Sequence, residues 1–131
     1  MESLMYVGLG GFFGANARYA LSLWVNDYLA PRWGPFPYGT FLVNVIGSFG
    51  LAVFGAWFSA STGLSPSLRL LVGAGFFGAF TTFSTFANES VALMQGGDWT
   101  SLLLNMLLNN GGCLFGVVIG LILGNRLFAL A

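Results

Sequence analysis

The placement of charged residues is the feature that most constrains what this chain can fold into. It has four basic and four acidic side chains. Residues 33–68, 70–88 and 99–125 carry no charge, and residues 3–26 carry only Arg18. A helix needs roughly 20 apolar residues to cross the hydrocarbon core of a bilayer. We therefore predict four transmembrane helices, at residues 4–25, 38–59, 68–94 and 100–127, in a single domain over residues 1–131.

The composition and the loop residues favour the same all-α membrane fold. Only 6% of the residues are charged, whereas soluble domains carry about 25%. Loop residues fall between the predicted helices, where turns are expected: Pro31, Pro35, Pro37, Pro66 and Gly97. The first helix is not preceded by basic residues, which argues against a cleaved signal peptide.

The rare residue types exclude several classes of function. The chain has no His and one Cys, Cys113, so a zinc site or a disulfide framework is not expected. It has no Lys, and its few Arg are scattered, which argues against binding to nucleic acid. An enzyme is the least favoured class, because no nucleophile stands beside a convincing base.

Glycines recur every four residues in two of the predicted helices. The longer ridge consists of Gly112, Gly116, Gly120 and Gly124, and the first helix has a shorter one at Gly10 and Gly14. Such small-residue ridges let helix backbones approach closely in lipid. The spacing leaves open whether the contact lies within one subunit or between two.

Orientation in the membrane is weakly encoded. Arg69 and Arg126 fall on the face of the N-terminus, and Arg32 falls on the opposite face, with Arg18 inside the first helix but nearer to that opposite face. The positive-inside rule therefore gives almost no bias. On charge alone, a single orientation and an antiparallel pair of copies remain equally open.

Three predicted helices carry neutral side chains that donate hydrogen bonds, in positions where polar groups are costly. These side chains are Asn44 and Ser48 in the second helix, Thr81, Thr82, Ser84 and Thr85 in the third, and Asn105 and Asn109 in the fourth. One interpretation is hydrogen bonding between helices. The other is a path for a small anion, which neutral donors hold less tightly than a fixed charge would.

The third helix has a sequence that predicts a break. Glycines precede the run TTFSTF at residues 81–86, and both features weaken a helix. A break would free backbone carbonyls, which often hold a cation in membrane proteins. Phe83 and Phe86 share a face, and their ring edges carry partial positive charge. The alternative is that these rings only contact lipid or the core.

Proton-coupled exchange is disfavoured because the centres of the first, second and fourth helices contain no carboxylate, and Glu89 comes late in the third. This absence also argues against a small drug-exporting transporter, which would need an acid in its first helix. Arg18 would either attract anions to a vestibule or extend to the interface as a structural residue. A non-transporting assembly subunit remains the third alternative.

Three segments resemble the Fluc family of fluoride channels. They read GGFFGANARY at residues 10–19, GTFLVNVIGS at 39–48, and GAFTTFSTF at 78–86, the last followed by Glu89. The third motif is the most specific. Together with the length and the number of helices, the resemblance covers essentially the whole chain, although the fourth helix contributes little to it.

The resemblance implies passive export of fluoride from the cytoplasm, across a bacterial inner membrane, by an antiparallel dual-topology homodimer with two pores. Phe83 and Phe86 would line the pore, with Asn44 on the same path. Ser84 and Thr85 would add neutral donors. Such a channel relieves fluoride toxicity, because fluoride enters as HF and is trapped inside once it ionises.

The resemblance also implies a structural sodium ion at the centre of the dimer, held by the backbone carbonyls of Gly78 and Thr81. The fourth helix departs from the family pattern, which has a Tyr and a Ser on the side that faces the pore. Asn105 and Asn109 stand about where these would fall, so amide donors would replace hydroxyl groups along the fluoride path.

Overall fold

The computed structural model describes residues 1–128, and within that range it contains helices and no strands. Helix 1 spans Glu2–Trp33, helix 2 spans Tyr38–Ala60 and helix 4 spans Trp99–Phe128. Helix 3 lies between Pro66 and Gln95 and is interrupted. Each of the four predicted helices is present. Residues 129–131, which the predicted domain included, lie outside the described range.

Helix 1 is longer than predicted, because it continues past residue 25 to Trp33. Pro31 lies in its last turn, where the missing proline N–H removes only one helical hydrogen bond. The helix ends at Gly34, whose φ of 89° suits glycine, and the Gly34 N–H donates to the carbonyl of Ala30 at 3.0 Å. Asp27 and Pro31 therefore did not mark its end.

Helix 3 consists of two halves separated by a break. The first half begins with a short α-helical turn at Pro66–Leu68, continues as a π-helix over Arg69–Phe77, and ends with a turn at Gly78–Phe80. The second half is an α-helix over Phe83–Gln95. Thr81 and Thr82 are extended between the halves, with ψ angles of 156° and 112°. The predicted break is present, whereas the π-helix was not predicted.

Helix 1 packs against the first half of helix 3 along a seam of glycines, which we call the glycine seam: Gly10, Gly14 and Gly75. A Cβ at Gly14 would overlap the carbonyl oxygen of Phe76, and one at Gly10 would overlap that of Leu71. A Cβ at Gly75 would lie 2.8 Å from the carbonyl oxygen of Val7. The two backbones are therefore in direct contact along this seam.

Helix 4 packs against helix 2 along its own glycine ridge. A Cβ at Gly120 would lie 2.6 Å from the carbonyl oxygen of Phe49, and one at Gly124 would lie 2.6 Å from the Cβ of Ala56. Both glycine ridges found in the sequence thus make contacts within one chain. This observation resolves the alternative that the spacing left open.

Helices 2, 3 and 4 are each long and apolar enough to cross a membrane. Helix 1 has 32 residues, about 48 Å of helix at 1.5 Å per residue. It is therefore long enough to cross a membrane, but it is not among the helices that are also apolar enough. Asn16 and Arg18, near its middle, lower its apolar character. Many large apolar side chains are exposed on all four helices, as expected where lipid or another copy covers them.

Candidate functional site

The break in helix 3 is held by the side chain of one residue from helix 2. The Thr82 N–H donates to Oδ1 of Asn44 at 2.7 Å, and Nδ2 of Asn44 donates to the Thr82 carbonyl at 3.1 Å. In a continuous helix the Thr82 N–H would instead bond to the carbonyl of Gly78. The Asn44 amide therefore replaces backbone hydrogen bonds that the break removes, at a buried position where unpaired groups are costly.

A line of hydrogen bonds continues from Asn44 into helix 4. Nδ2 of Asn44 also donates to Oδ1 of Asn109 at 3.1 Å, and Nδ2 of Asn109 donates to Oδ1 of Asn105 at 2.7 Å. Asn105 is 0% exposed and Asn109 is 4% exposed. The spacing of four residues in helix 4 places both amides on one face, where each reaches the next.

The same line returns from helix 4 to helix 3. Nδ2 of Asn105 donates to the hydroxyl of Ser90 at 3.0 Å, and that hydroxyl donates to the carbonyl of Phe86 at 2.8 Å. We call the complete series the asparagine relay: Thr82, Asn44, Asn109, Asn105, Ser90 and Phe86. Sequence reasoning missed Ser90. The only available signal was its position four residues after Phe86, on the same face of the helix.

Hydroxyl groups cluster where the second half of helix 3 begins. Oγ1 of Thr82 accepts from the Thr85 N–H at 3.2 Å and donates to Oγ1 of Thr85 at 2.9 Å. It also lies 3.3 Å from Oγ of Ser84. Ser84 and Thr85 are exposed. The N-terminus of this half-helix carries the positive end of the helix dipole, which lies beside the neutral donors predicted from the sequence.

The two phenylalanines predicted to line a path occupy different environments. Phe83 is 76% exposed, whereas Phe86 is 8% exposed. Their ring centroids are 5.5 Å apart, and the rings are inclined at 55°. The ring of Phe83 thus lies on the protein surface, where lipid, a second copy or an ion path would meet it, and the ring of Phe86 lies behind it.

A groove of about 770 Å³ brings several of the predicted residues together. Those that line it include Asn44, Ser48, Thr81, Phe83, Phe86 and Asn109. Ser84, Thr85 and Asn105 do not line it, although hydrogen bonds connect each of them to residues that do. Arg18 lies elsewhere, half-buried near the middle of helix 1.

The backbone at the break also offers oxygen atoms. Thr81 has φ of −82° and ψ of 156°, so the chain leaves the helical path at this residue. Since the Thr82 N–H bonds to Asn44, the carbonyl of Gly78 loses its partner in the α-helical pattern. Such carbonyls fit a hard cation that prefers oxygen ligands. Residues 1–128 contain no cluster of His, Cys, Asp and Glu suited to a metal ion.

Glu89 contacts helix 2 from the second half of helix 3. The hydroxyl of Thr40 donates to its Oε1 at 2.7 Å, and its Oε2 is buried without a hydrogen-bond partner among the described residues. Thr40 was not identified from the sequence, because its partner lies 49 residues away along the chain. A carboxylate with an unsatisfied oxygen atom inside a helical bundle is an uncommon arrangement.

These features define a small, multi-pass helical membrane protein in which neutral hydrogen-bond donors, backbone carbonyls and aromatic rings converge at a broken helix. The chain matches the family model described as "CrcB-like protein, Camphor Resistance (CrcB)" over residues 5–121. It belongs to that family.

Curated relatives match over nearly their full length. A protein of Shewanella sp. (strain ANA-3) named "Fluoride-specific ion channel FluC" is 47% identical over 120 residues, which is 92% of this chain and 94% of the relative. A protein of the same name from Shewanella baltica (strain OS185) is 46% identical over the same shares. The predicted family resemblance is confirmed.

Proposed function

We propose that this protein is a fluoride-selective channel, not an enzyme, and that it passively exports fluoride from the bacterial cytoplasm across the inner membrane. The observation that carries the proposal is 45–47% identity to proteins named fluoride-specific ion channels, over 92% of the chain. Neutral donors at a broken helix in the groove support it, because they can replace the hydration of a small anion without trapping the ion.

The proposed ion path passes the edges of Phe83 and Phe86, the hydroxyl groups of Ser84 and Thr85, and the Asn44 amide, whose N–H groups bond to Thr82 and Asn109 and would exchange one of these partners to meet fluoride. Fluoride is small and strongly hydrated, so its path must supply several short contacts together. The contact between the two rings and the clustered hydroxyl groups support this arrangement. Asn105 and Asn109 were both predicted on the path itself; Asn109 lines the groove with Asn44, and Asn105 lies behind it, bonded to Asn109.

The working unit that we propose is an antiparallel homodimer in which helix 1 is the fourth transmembrane helix. Three observations support it: the balanced arginines, the large exposed apolar area, and the exposure of Phe83, which is 76% in the single chain. The resemblance implies a pore-lining role for this ring, which a second copy would enclose. Arg18 would then either face a vestibule that attracts anions or support helix 1 as a structural residue.

The proposed structural cofactor is a sodium ion between the two subunits. The extended backbone at Thr81 and the carbonyl that Gly78 offers support this site, because they supply oxygen atoms without a charged side chain. Sodium would add positive charge where two broken helices meet.

The function is tested by measuring ion release from liposomes that contain the purified protein. We expect a fluoride electrode to record rapid release down a concentration gradient, with no proton gradient imposed. Vesicles loaded with chloride are the control and should release far more slowly. Fluoride release that requires a proton gradient, or equally fast release of chloride, would contradict a passive fluoride-selective channel.

The dual topology is tested by labelling cysteines from each side of intact cells. Ser3→Cys and Thr62→Cys, each in a Cys113→Ser background, place a thiol at exposed positions on one face of the fold. We expect each thiol to react with impermeant reagents added outside and also with reagents admitted to the cytoplasm. Labelling from one side alone would show a single orientation.

A further inference from the structure

The asparagine relay has a direction that its two ends fix. It begins at the backbone N–H of Thr82, which can only donate, and it ends at the carbonyl of Phe86, which can only accept. Each of the three amides and the hydroxyl between these ends accepts one bond and donates the next. With both ends set by the backbone, only one arrangement of the amides makes every bond.

Reversal of any amide would break this arrangement. If the Asn109 amide turned over, its nitrogen would face the nitrogen of Asn44, and its oxygen would face the oxygen of Asn105. Asn105 and Asn109 are at most 4% exposed, so water cannot compensate. An unsatisfied buried polar group costs about 1–3 kcal/mol, which is enough to keep each amide in its place.

The relay therefore fixes the Asn44 amide and, through it, the Thr82 backbone at the break. Both Asn44 N–H groups are engaged, one by Thr82 and one by Asn109. Hydrogen bonds aligned in one direction also polarise one another, which strengthens the donors along the line. Ser90 lies at the far end from Asn44, so it influences that amide only through Asn105 and Asn109.

We propose that Asn109, Asn105 and Ser90 are positioning residues, which hold the Asn44 amide in the orientation that fixes Thr82 at the break, and so act on fluoride through the geometry of the break. This inference rests on the proposed channel function and adds the element of the chain that sets its donor geometry. The sequence prediction placed both Asn105 and Asn109 on the fluoride path; Asn109 lines the groove, whereas Asn105 does not.

The test uses Ser90→Ala in full-length protein in liposomes, with fluoride release as the readout. We expect about a three- to tenfold slower release, the equivalent of one lost hydrogen bond, with the assembly unchanged in size-exclusion chromatography. Ser61→Ala is the matched control, because the Ser61 hydroxyl makes the same type of bond, to the carbonyl of Trp57 at 2.9 Å, outside the relay. Ser90→Thr keeps the hydroxyl and should release fluoride at a rate near wild type.

The double variant Asn105→Leu with Ser90→Ala tests whether the two residues act as one connected relay or through independent contacts. Within the relay, Ser90→Ala should add almost nothing to Asn105→Leu, because both changes break the same link. Additive losses, equal rates for Ser90→Ala and Ser61→Ala, or a loss in Ser90→Thr as large as in Ser90→Ala would each overturn the proposal. A wild-type protein that releases no fluoride would instead overturn the proposed function.

Discussion

The two halves of helix 3 are held in the bundle by opposite means. The first half contacts helix 1 through the glycine seam, where backbone lies on backbone without intervening side chains. The second half is joined to helices 2 and 4 by the asparagine relay, where side chains form the contact. The glycine seam depends on shape, whereas the relay depends on the direction of each donor and acceptor.

This difference suits the position of the break. Close packing holds the first half rigidly, because nothing at the seam can rotate or rearrange. Hydrogen bonds between side chains then hold the second half in one orientation, at the point where the proposed path requires defined donors. The two regions should therefore fail in different ways when they are mutated.

The largest expected effect is the loss of the glycine seam. Gly14→Ala adds a methyl group that would overlap the Phe76 carbonyl, and overpacking of this kind costs about 1–3 kcal/mol or more. We expect little or no correctly assembled protein, measured by yield and by thermal unfolding in detergent. Gly8→Ala is the control on the same helix, since nothing lies within 4 Å of its added Cβ. Equal stability of the two variants would show that helix 1 and the first half of helix 3 can move apart at the seam without loss of stability.

The next effect concerns conduction. Phe83→Ile or Phe86→Ile keeps an apolar side chain but removes the ring edge, whose partial positive charge would face the anion on the proposed path. We expect fluoride release to slow about tenfold while the dimer still assembles, as judged by mass. Phe115→Ile, at an exposed ring of helix 4, should leave release unchanged. Wild-type release by folded variants would show that the two rings only pack.

The smallest expected effect lies at the start of helix 4, outside both regions. The N–H of Ser101 donates to Oδ1 of Asp98 at 3.0 Å. This backbone hydrogen bond, together with one to the Ser101 side chain, lowers the pKa of Asp98 below its ordinary value of 3.8. The ionised group therefore stabilises the fold above pH 3.8, and this contribution is lost as the pH falls through the lowered value.

Asp98→Asn tests the titration, because an amide oxygen can keep the cap but does not ionise. We expect the thermal midpoint of the wild type to fall slightly more steeply than that of Asp98→Asn below pH 4. Identical acid profiles of the two proteins would show that the cap contributes no pH dependence.

Much of the fold could be predicted, because hydropathy and charge determine where a helix crosses a membrane. The break at Thr81 and Thr82 also followed from local sequence, since the glycines before it and the hydroxyl-bearing residues around it weaken a helix. The end of helix 1 was predicted wrongly, because Asp27 and Pro31 resemble loop residues yet fit within its last turns.

The site was predicted as a set of residues but not as a network. The spacing of Asn105 and Asn109 indicated one polar face, but it could not show that this face is fully buried and bonded to Ser90. The contact between Thr40 and Glu89 depends equally on how separate helices meet. Local periodicity determines which side of a helix a residue occupies, whereas the tertiary packing determines its partner.

The π-helix at Arg69–Phe77 has a consequence for the rotational phase of the chain. An α-helix turns by about 100° per residue, and a π-helix turns less, because its hydrogen bonds reach one residue further. Nine residues in this pattern delay the rotation of the residues that follow up to the break, at Gly78–Phe80. A change that converted this segment to α-helix would therefore turn Gly78, with the carbonyl proposed to hold sodium, to another side of the first half, whereas the directions of Phe83 and Phe86 are set beyond the break by the extended backbone of Thr81 and Thr82.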